Sequence, residues 1–135
     1  MGFILDCSTT MSWCFKDEQN HYATAVLESL QHEQALVPAL WNIEIANTLH
    51  VAFKKKRIDE AGELHFLGLL RSLPIKVAAA NYKVQDLLLL SKEHQLTAYD
   101  VCYFLLAMMH QLPVATGDLE LRRAVLKAGG TIYLE

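Results

Sequence analysis

The sequence predicts a single α/β domain, residues 1–135, with a mostly parallel central sheet of about five strands and helices on both faces. Short apolar runs alternate with longer helical patterns along the whole chain. Strands that alternate with helices need crossover connections, and such connections produce parallel sheets. At 135 residues, with 53% hydrophobic and 20% charged residues, the chain can bury one core of ordinary size.

The element order follows from the same alternation. Strands are predicted at 2–6, 35–38, 75–78, 113–116 and 131–134, and the Cys-Ser-Thr-Thr after the first strand is typical of a turn. Helices are predicted from about 17 to 32, and at 40–56, 58–73, 81–94, 97–110 and 118–128. Gly129-Gly130 ends the last helix, because glycine accepts the left-handed conformation.

Composition excludes several classes of protein. Cys7, Cys14 and Cys102 form no CxxC pair and no zinc-like spacing, so we expect neither a disulfide framework nor a zinc site, and a cytoplasmic location. The start, MGFILDCSTT, is too short an apolar run for a signal peptide or a membrane span. A net charge of −3 argues against a broadly basic surface for duplex DNA.

Four acidic residues stand in apolar surroundings. Asp6 is the last residue of the first predicted strand and Asp118 lies just past the fourth, so both are expected at the carboxyl edge of the sheet, where such folds bind ligands. Glu44 and Asp100 lie in the early turns of helices that are otherwise apolar. The sequence therefore predicts a pocket that contains all four carboxylates.

Short polar residues accompany these acids. Asn47 lies on the helical face of Glu44, and Ser8 and Thr116 are each two positions from an acid, Asp6 or Asp118. Clustered carboxylates raise one another's pKa values unless a hard cation lies between them. Oxygen ligands suit Mg²⁺ or Mn²⁺, so we expect one of these ions as the cofactor.

Three of the four acids also have an ordinary structural interpretation. Thr97-x-x-Asp100 fits a helix capping box, Asp118 can be the N-cap of the last helix, and Asp6 can form an Asx-turn. Glu44 is harder to explain in this way, because a buried carboxylate needs a partner and no basic residue is evident nearby in the sequence.

Four segments carry a resemblance to a known family. They are ILDCS with Asp6, VPALWNIEIANTL with Glu44, LTAYDVCYFLLA with Asp100, and PVATGDLEL with Asp118. The chain resembles the PIN-domain ribonucleases, especially the VapC-type toxins of toxin–antitoxin pairs. The resemblance implies a PIN-like α/β/α sandwich and a Mg²⁺- or Mn²⁺-dependent endoribonuclease. It also implies that the four acids hold the metal and carry catalysis, with Asn47 and Thr116 as polar support.

The resemblance further implies partners: an RNA substrate such as tRNA or rRNA, a VapB-like antitoxin, and a second copy in a homodimer. The apolar residues proposed for the protein-binding surface are Trp13, Phe15, Phe53, Phe66 and Leu67, each of which could equally belong to the core. Two other functions stay open: a catalytically silent PIN scaffold that binds RNA or protein, and another magnesium-dependent phosphohydrolase.

Metal-assisted hydrolysis of a phosphodiester needs little from the protein beyond oxygen ligands, so no serine, cysteine or histidine nucleophile is required. Two Mg²⁺ ions would change the formal net charge from −3 to about +1 and help to admit a polyanion.

The candidate RNA-binding residues are Lys54, Lys55, Lys56, Arg57, Arg122 and Arg123. The Lys54–Arg57 run is also explained as a solvated helix end favoured by the helix dipole. The six histidines form no HExxH motif, and Cys7 and Cys102 are interpreted as small core residues.

Overall fold

The computed structural model describes residues 2–135 and contains an all-parallel sheet of four strands. The strands are β1 (Gly2–Leu5), β2 (Gln34–Pro38), β3 (Ile75–Ala78) and β4 (Val114–Ala115), in the order β3-β2-β1-β4. The predicted α/β class and parallel sheet are confirmed.

The predicted fifth strand, 131–134, is wrong. Only an isolated parallel bridge joins Ile132 to Val114, supported by the Tyr133 N–H, which donates to the Val114 carbonyl over 2.8 Å. The chain then turns away, since Leu134 has a left-handed φ of 63°. Because β4 is two residues long, it offers no ladder along which this segment could extend.

Seven α-helices surround the sheet in the described chain: α1 (Cys7–Ser12), α2 (His21–Ser29), α3 (Leu40–Lys54), α4 (Glu60–Ser72), α5 (Val84–His94), α6 (Ala98–His110) and α7 (Leu119–Lys127). A short 3-10 helix, Lys16–Glu18, precedes α2. Helix α1 replaces the predicted turn. The second helix begins later than predicted because the Asn20 side chain accepts a hydrogen bond from the Ala23 N–H and caps it.

Both faces of the sheet are covered at β1. Phe3, Ile4 and Leu5 are all fully buried, and successive side chains of a strand point to opposite faces. Helix α6 contacts both β1 and β2, and most of its residues from Val101 to Ala107 are buried. The apolar pattern of α6 therefore reflects its position against the centre of the sheet.

The same packing corrects part of the predicted protein-binding surface. Phe15 and Phe66 are buried core residues, and Trp13 is half-buried with its indole N–H donating to the Ala23 carbonyl. Phe53 and Leu67 are exposed as predicted. Within residues 2–135, no helix combines the length and apolar character needed to cross a membrane.

Candidate active site

The strand order of the sheet reverses at β1. From β1 the chain crosses to β2 on one side, whereas β4 lies on the other side of β1. The Asp6 N–H donates to the Ala115 carbonyl over 3.1 Å, so the ends of both strands are held together. In parallel α/β sheets the crevice at such a switch point is the usual ligand site.

Asp6 is fixed at this crevice by two hydroxyl groups. Its Oδ2 accepts hydrogen bonds from Ser8 Oγ at 2.8 Å and from Thr116 Oγ1 at 2.6 Å. The Asp6 side chain accepts no capping hydrogen bond at the start of α1, so the structure does not support the Asx-turn interpretation. Burial raises the pKa of Asp6, the two hydroxyl groups lower it, and the Asp118 charge raises it further. Ser8 was predicted beside Asp6, whereas Thr116 was predicted beside Asp118 and in the structure also bonds to Asp6.

Asp118 does act as a helix cap. Its Oδ1 accepts from the Glu120 N–H at 2.9 Å and from the Leu121 N–H at 3.4 Å, at the start of α7. The Asp118 N–H in turn donates to Thr116 Oγ1 over 3.0 Å. Thr116 thus links Asp6 and Asp118 directly, and the cap orients Asp118 while its Oδ2 takes no part in capping.

Asp100 fulfils only half of the predicted capping box. Thr97 Oγ1 accepts from the Asp100 N–H at 3.1 Å. The reciprocal bond of the box, in which the Thr97 N–H donates to the Asp100 carboxylate, is not among the hydrogen bonds described for residues 2–135. Instead, the pKa of Asp100 rises to about 7, first through burial and then through Asp118, Asp6 and Glu44. The Asp100 carboxylate therefore interacts electrostatically with the other three acids.

Glu44 has a partner that the sequence did not reveal. The fully buried Tyr103 donates its hydroxyl to Glu44 Oε1. Burial raises the pKa of Glu44, this hydrogen bond lowers it, and the Asp6 charge raises it. Tyr103 lies three residues after Asp100, on the same helical face, and that spacing was the available signal.

The four acids share one electrostatic environment without converging on one point. Nowhere in residues 2–135 do three or more Asp, Glu, His or Cys side chains stand close enough to hold one metal ion together. The donor set still fits a hard divalent cation, since it consists of carboxylates, and no Lys, Arg or His is among the causes of their raised pKa values. A bound cation would favour the charged form of every one of these carboxylates.

The remaining predicted site residues are placed differently. Asn47 is exposed on α3, and its side chain makes none of the hydrogen bonds described for residues 2–135. Arg122 donates through Nε to the Thr116 carbonyl at 2.7 Å, pairs with Glu135, and lies over the Tyr22 ring. Arg122 therefore supports the segment that carries Thr116. Arg123 is exposed on α7 and pairs with Glu120.

The basic run lies far from the acids. Helix α3 follows β2 and runs back along the sheet, and a rise of about 1.5 Å per residue puts Lys54 roughly 15 Å beyond Glu44. Arg57 pairs with Asp17 and Glu18 and stacks on Phe15. A cleft of about 770 Å³ opens beside Lys54 and Arg57. Its lining includes none of the four acids, so we do not regard it as the reaction site.

The thiols next to the acids are expected to be unreactive. Cys7 and Cys102 are buried, and burial, followed by the charges of Glu44 and Asp6, raises the pKa of Cys7 to about 12. A thiol with this pKa stays protonated at neutral pH and is a poor nucleophile. Their interpretation as core residues is in keeping with this burial.

Comparison with known proteins supports the fold alone. No family model matches the chain, and no curated protein matches it. Among solved structures, the chain is similar to the protein PAE2754 from Pyrobaculum aerophilum, with 20% sequence identity and a TM-score of 0.68. The match covers 98% of this chain and 88% of that one.

Removing the Tyr103 hydroxyl should affect the site through Glu44. We expect Tyr103→Phe to destabilise the fold by about 1–3 kcal/mol, because it leaves a partly buried carboxylate without its donor. Denaturant unfolding measures this cost. Tyr82→Phe is the matched control, since the Tyr82 hydroxyl is buried and has no hydrogen-bond partner in the described chain. An equal loss of stability in both variants would contradict the role given to Tyr103.

Raised carboxylate pKa values also predict a pH dependence of stability in metal-free buffer. The folded protein holds a proton on Asp100 up to about pH 7, whereas the unfolded chain releases it near the ordinary value of 3.8. The folded state thus binds more protons, so the free energy of unfolding should fall as the pH rises between these values and then level off. Urea titrations in EDTA between these pH values measure the effect. Asp100→Asn should flatten the curve, and a curve that is equally steep in the mutant would contradict the assignment.

Proposed function

We propose that the protein is a Mg²⁺- or Mn²⁺-dependent endoribonuclease of the PIN type, acting in the cytoplasm as the toxin of a type II toxin–antitoxin pair. The observation that carries the proposal is the electrostatic interaction of Asp100 with Asp6, Glu44 and Asp118 beside the switch point of a parallel sheet, with raised pKa values for Asp6, Glu44 and Asp100. Acids with perturbed pKa values in a crevice mark a candidate functional site.

The chain's own residues supply rigid positioning. Ser8 and Thr116 hold one oxygen of Asp6, Tyr103 holds one oxygen of Glu44, and the cap of α7 holds Asp118 Oδ1. Groups fixed in this way lose little freedom when a substrate or ion binds. When bound, Mg²⁺ or Mn²⁺ would lower the pKa of its water and neutralise charge on the phosphate.

Asp100 differs from the other acids in that its carboxylate interacts electrostatically with all three of them. Its carboxylate takes part in no capping bond, and it is only half-buried. With a pKa of about 7, it is largely ionised once the pH exceeds neutrality or once a cation stabilises its charge. We therefore assign Asp100 the role of the ligand whose charge state depends most on the presence of the ion.

The RNA backbone needs cations near the acids. Arg123, exposed in the first turns of α7, lies closest in the chain to Asp118 among the exposed candidates. Lys54, Lys55 and Lys56 are exposed at the far end of α3, where they could contact a distant part of a long RNA. Arg57, Arg122 and Arg123 are all engaged in ion pairs, so each would have to exchange its partner carboxylate for a phosphate.

Cleavage assays test the proposal directly. Purified protein is incubated with RNA oligonucleotides, with DNA of the same sequence, and with nitrophenyl phosphate, each in Mg²⁺, Mn²⁺ or EDTA. We expect internal cleavage of RNA in the presence of either ion and none in EDTA. Hydrolysis of nitrophenyl phosphate without RNA cleavage would instead identify another phosphohydrolase. Tight RNA binding without turnover would identify a silent scaffold.

The partner part of the proposal has its own test. A homodimer and an inhibitory antitoxin, whose arm fills the groove beside the acids, would cover apolar residues that are now exposed, such as Ile43, Phe53 and Leu67. Light scattering gives the oligomeric state, and induced expression in cells without a partner gives the toxicity. A monomer that is harmless to cells would contradict both parts. Sequencing the RNA ends after induction would identify the target.

A further inference from the structure

The turn between β4 and α7 connects two of the acids. Thr116 Oγ1 donates to Asp6 Oδ2 over 2.6 Å and accepts from the Asp118 N–H at 3.0 Å. Gly117 lies between these residues and is exposed, and a Cβ added there would meet no heavy atom within 4 Å apart from its chain neighbours. Glycine also restricts its backbone less than any other residue. Packing at Gly117 therefore does not fix Asp118 relative to Thr116, so hydrogen bonds have to do so.

Arg122 holds both ends of this turn. Its Nε donates to the Thr116 carbonyl over 2.7 Å, and its backbone N–H donates to the Asp118 carbonyl over 3.0 Å. Hydrogen bonds from a charged guanidinium are stronger than those between neutral groups. Arg122 is not among the charges that shift the pKa of Asp6 or Asp100. Its influence on the acids therefore passes through the position of the turn and not through its charge.

The guanidinium of Arg122 is itself held in place. It pairs with the Glu135 carboxylate and lies over the Tyr22 ring, with Cζ 4.9 Å from the ring centroid. Only 21% of the Arg122 side chain is exposed, against 64% for Arg123. An RNA phosphate would have to displace Glu135 in order to bind this guanidinium, so Arg122 is poorly placed as an RNA contact.

The groups that hold this guanidinium are anchored to the sheet. The Tyr22 hydroxyl donates to the Tyr133 carbonyl over 2.9 Å. The Tyr133 N–H donates to the Val114 carbonyl over 2.8 Å, and its ring stacks on Phe3 with the two centroids 3.8 Å apart. Residues 131–135 are thereby tied to β1 and β4, the strands that lead into the acid site.

We propose that Arg122 is a positioning residue, which fixes the turn at 116–118 for metal binding and makes no contact with RNA. Tyr22 and Glu135 hold its guanidinium in the required orientation, so residues 131–135 belong to the framework of the site. The inference rests on the proposed metal-dependent ribonuclease function and extends it beyond the acids and their direct hydrogen-bond partners. This role differs from the RNA contact predicted for Arg122 from the sequence.

Mn²⁺ titration tests this role without any need for turnover. Arg122→Gln removes a positive charge, and by charge alone this change should strengthen the binding of a cation to nearby carboxylates. The positioning role predicts the opposite, an affinity for Mn²⁺ that is about 10-fold lower, at the low end of the 10–100-fold range for residues that orient metal ligands. Calorimetry at a temperature well below the unfolding transition measures the affinity. An affinity that is unchanged or higher would overturn the proposal.

Arg57→Gln is the matched control. Arg57 also pairs with acidic side chains, those of Asp17 and Glu18, and lies over an aromatic ring, that of Phe15. Its contacts include none of the four acids, so this change should leave the Mn²⁺ affinity as it is in the wild type. An equal loss of Mn²⁺ affinity in both variants would contradict the role of Arg122.

Tyr22→Phe tests the part played by residues 131–135. The change keeps the ring beneath Arg122 and alters no charge, but it removes the hydroxyl that donates to the Tyr133 carbonyl. We expect a smaller loss of Mn²⁺ affinity than for Arg122→Gln. If Arg122→Gln does not fold, this variant decides, and an unchanged Mn²⁺ affinity would then count against the proposal.

RNA assays separate positioning from contact with RNA. Arg122→Gln should lower kcat and leave KM and the salt dependence of RNA binding unchanged. The loss of one phosphate contact would instead reduce the slope of log K against log salt concentration by about 0.7 for a single strand, and this result would refute the assignment. A wild type that binds Mn²⁺ but cleaves no RNA would contradict the ribonuclease function, and the Mn²⁺ titrations would still decide the role of Arg122. A wild type that binds no Mn²⁺ would contradict both.

Discussion

Asp100→Asn should abolish RNA cleavage while leaving the protein folded. The amide keeps the shape of the side chain but removes the charge that would hold a divalent ion. We expect a loss of at least about 100-fold, because even residues that only orient a metal ligand typically contribute about 10–100-fold. In EDTA the mutant should be more stable than wild type, since it relieves the repulsion by Asp118, Asp6 and Glu44 that raises the pKa of Asp100.

Asp86→Asn is the matched control for this experiment. Asp86 also lies in the first turn of a helix, α5, but it is exposed and distant from the acids in the chain. Both changes remove an acid that is favourable for a helix dipole, so the control accounts for the loss of that interaction. If Asp100 served the cap, Asp100→Asn would cost up to about 1 kcal/mol with or without metal and leave cleavage near wild type. An active Asp100→Asn protein would refute the metal-site assignment.

Thr116→Val should give the second large effect, a loss of about 10–100-fold in cleavage. Thr116 is fully buried, and its hydroxyl both donates to Asp6 Oδ2 and accepts from the Asp118 N–H. Valine has a similar shape but makes neither bond, so Asp6 and Asp118 would lose their common support. Parallel measurement of kcat, KM and Mn²⁺ affinity should find the loss in kcat and in metal affinity.

Two further variants separate this positioning role from a general loss of stability. Thr116→Ser restores a hydroxyl and should recover most of the activity. Thr10→Val also removes a buried hydroxyl, one that donates to the Asp6 carbonyl and accepts from Trp41 Nε1, but it leaves the Asp6 carboxylate untouched. It should lower stability and spare metal affinity. Equal effects of Thr116→Val and Thr10→Val on metal affinity would contradict the role of Thr116.

The order of elements could be predicted from the sequence because hydrophobic periodicity reports burial, and burial here follows the sheet. Helix α1 could not, because its Ser and Thr residues favour turns when considered locally. In the folded protein their hydroxyls bond to carbonyls one turn earlier, as Thr10 does to Asp6 and Ser12 does to Ser8. The left-handed φ of Leu134, which ends the last segment, likewise leaves no trace in the apolar pattern.

The candidate site was predictable to a similar degree. The positions of Asp6 and Asp118 followed from the rule that parallel strands end at one edge, and Thr116 and Ser8 followed from their spacing. Tyr103 was missed because a tyrosine inside an apolar helix has the same pattern as an ordinary core residue. The hydrogen bond from Arg122 Nε to the Thr116 carbonyl could not be predicted, because it depends on tertiary contacts and not on the number of charges in the sequence.

The hydrogen bond between Thr116 and Asp6 joins residues that are 110 positions apart in the chain. Contacts of such long range close late in folding, because the intervening chain must first lose its freedom. During synthesis Asp6 therefore lacks its bond to Thr116 until β4 has formed, and a chain that ends before residue 118 lacks one of the four acids. If the protein is a toxin, this order of assembly keeps each chain inactive until almost the whole domain has been synthesised.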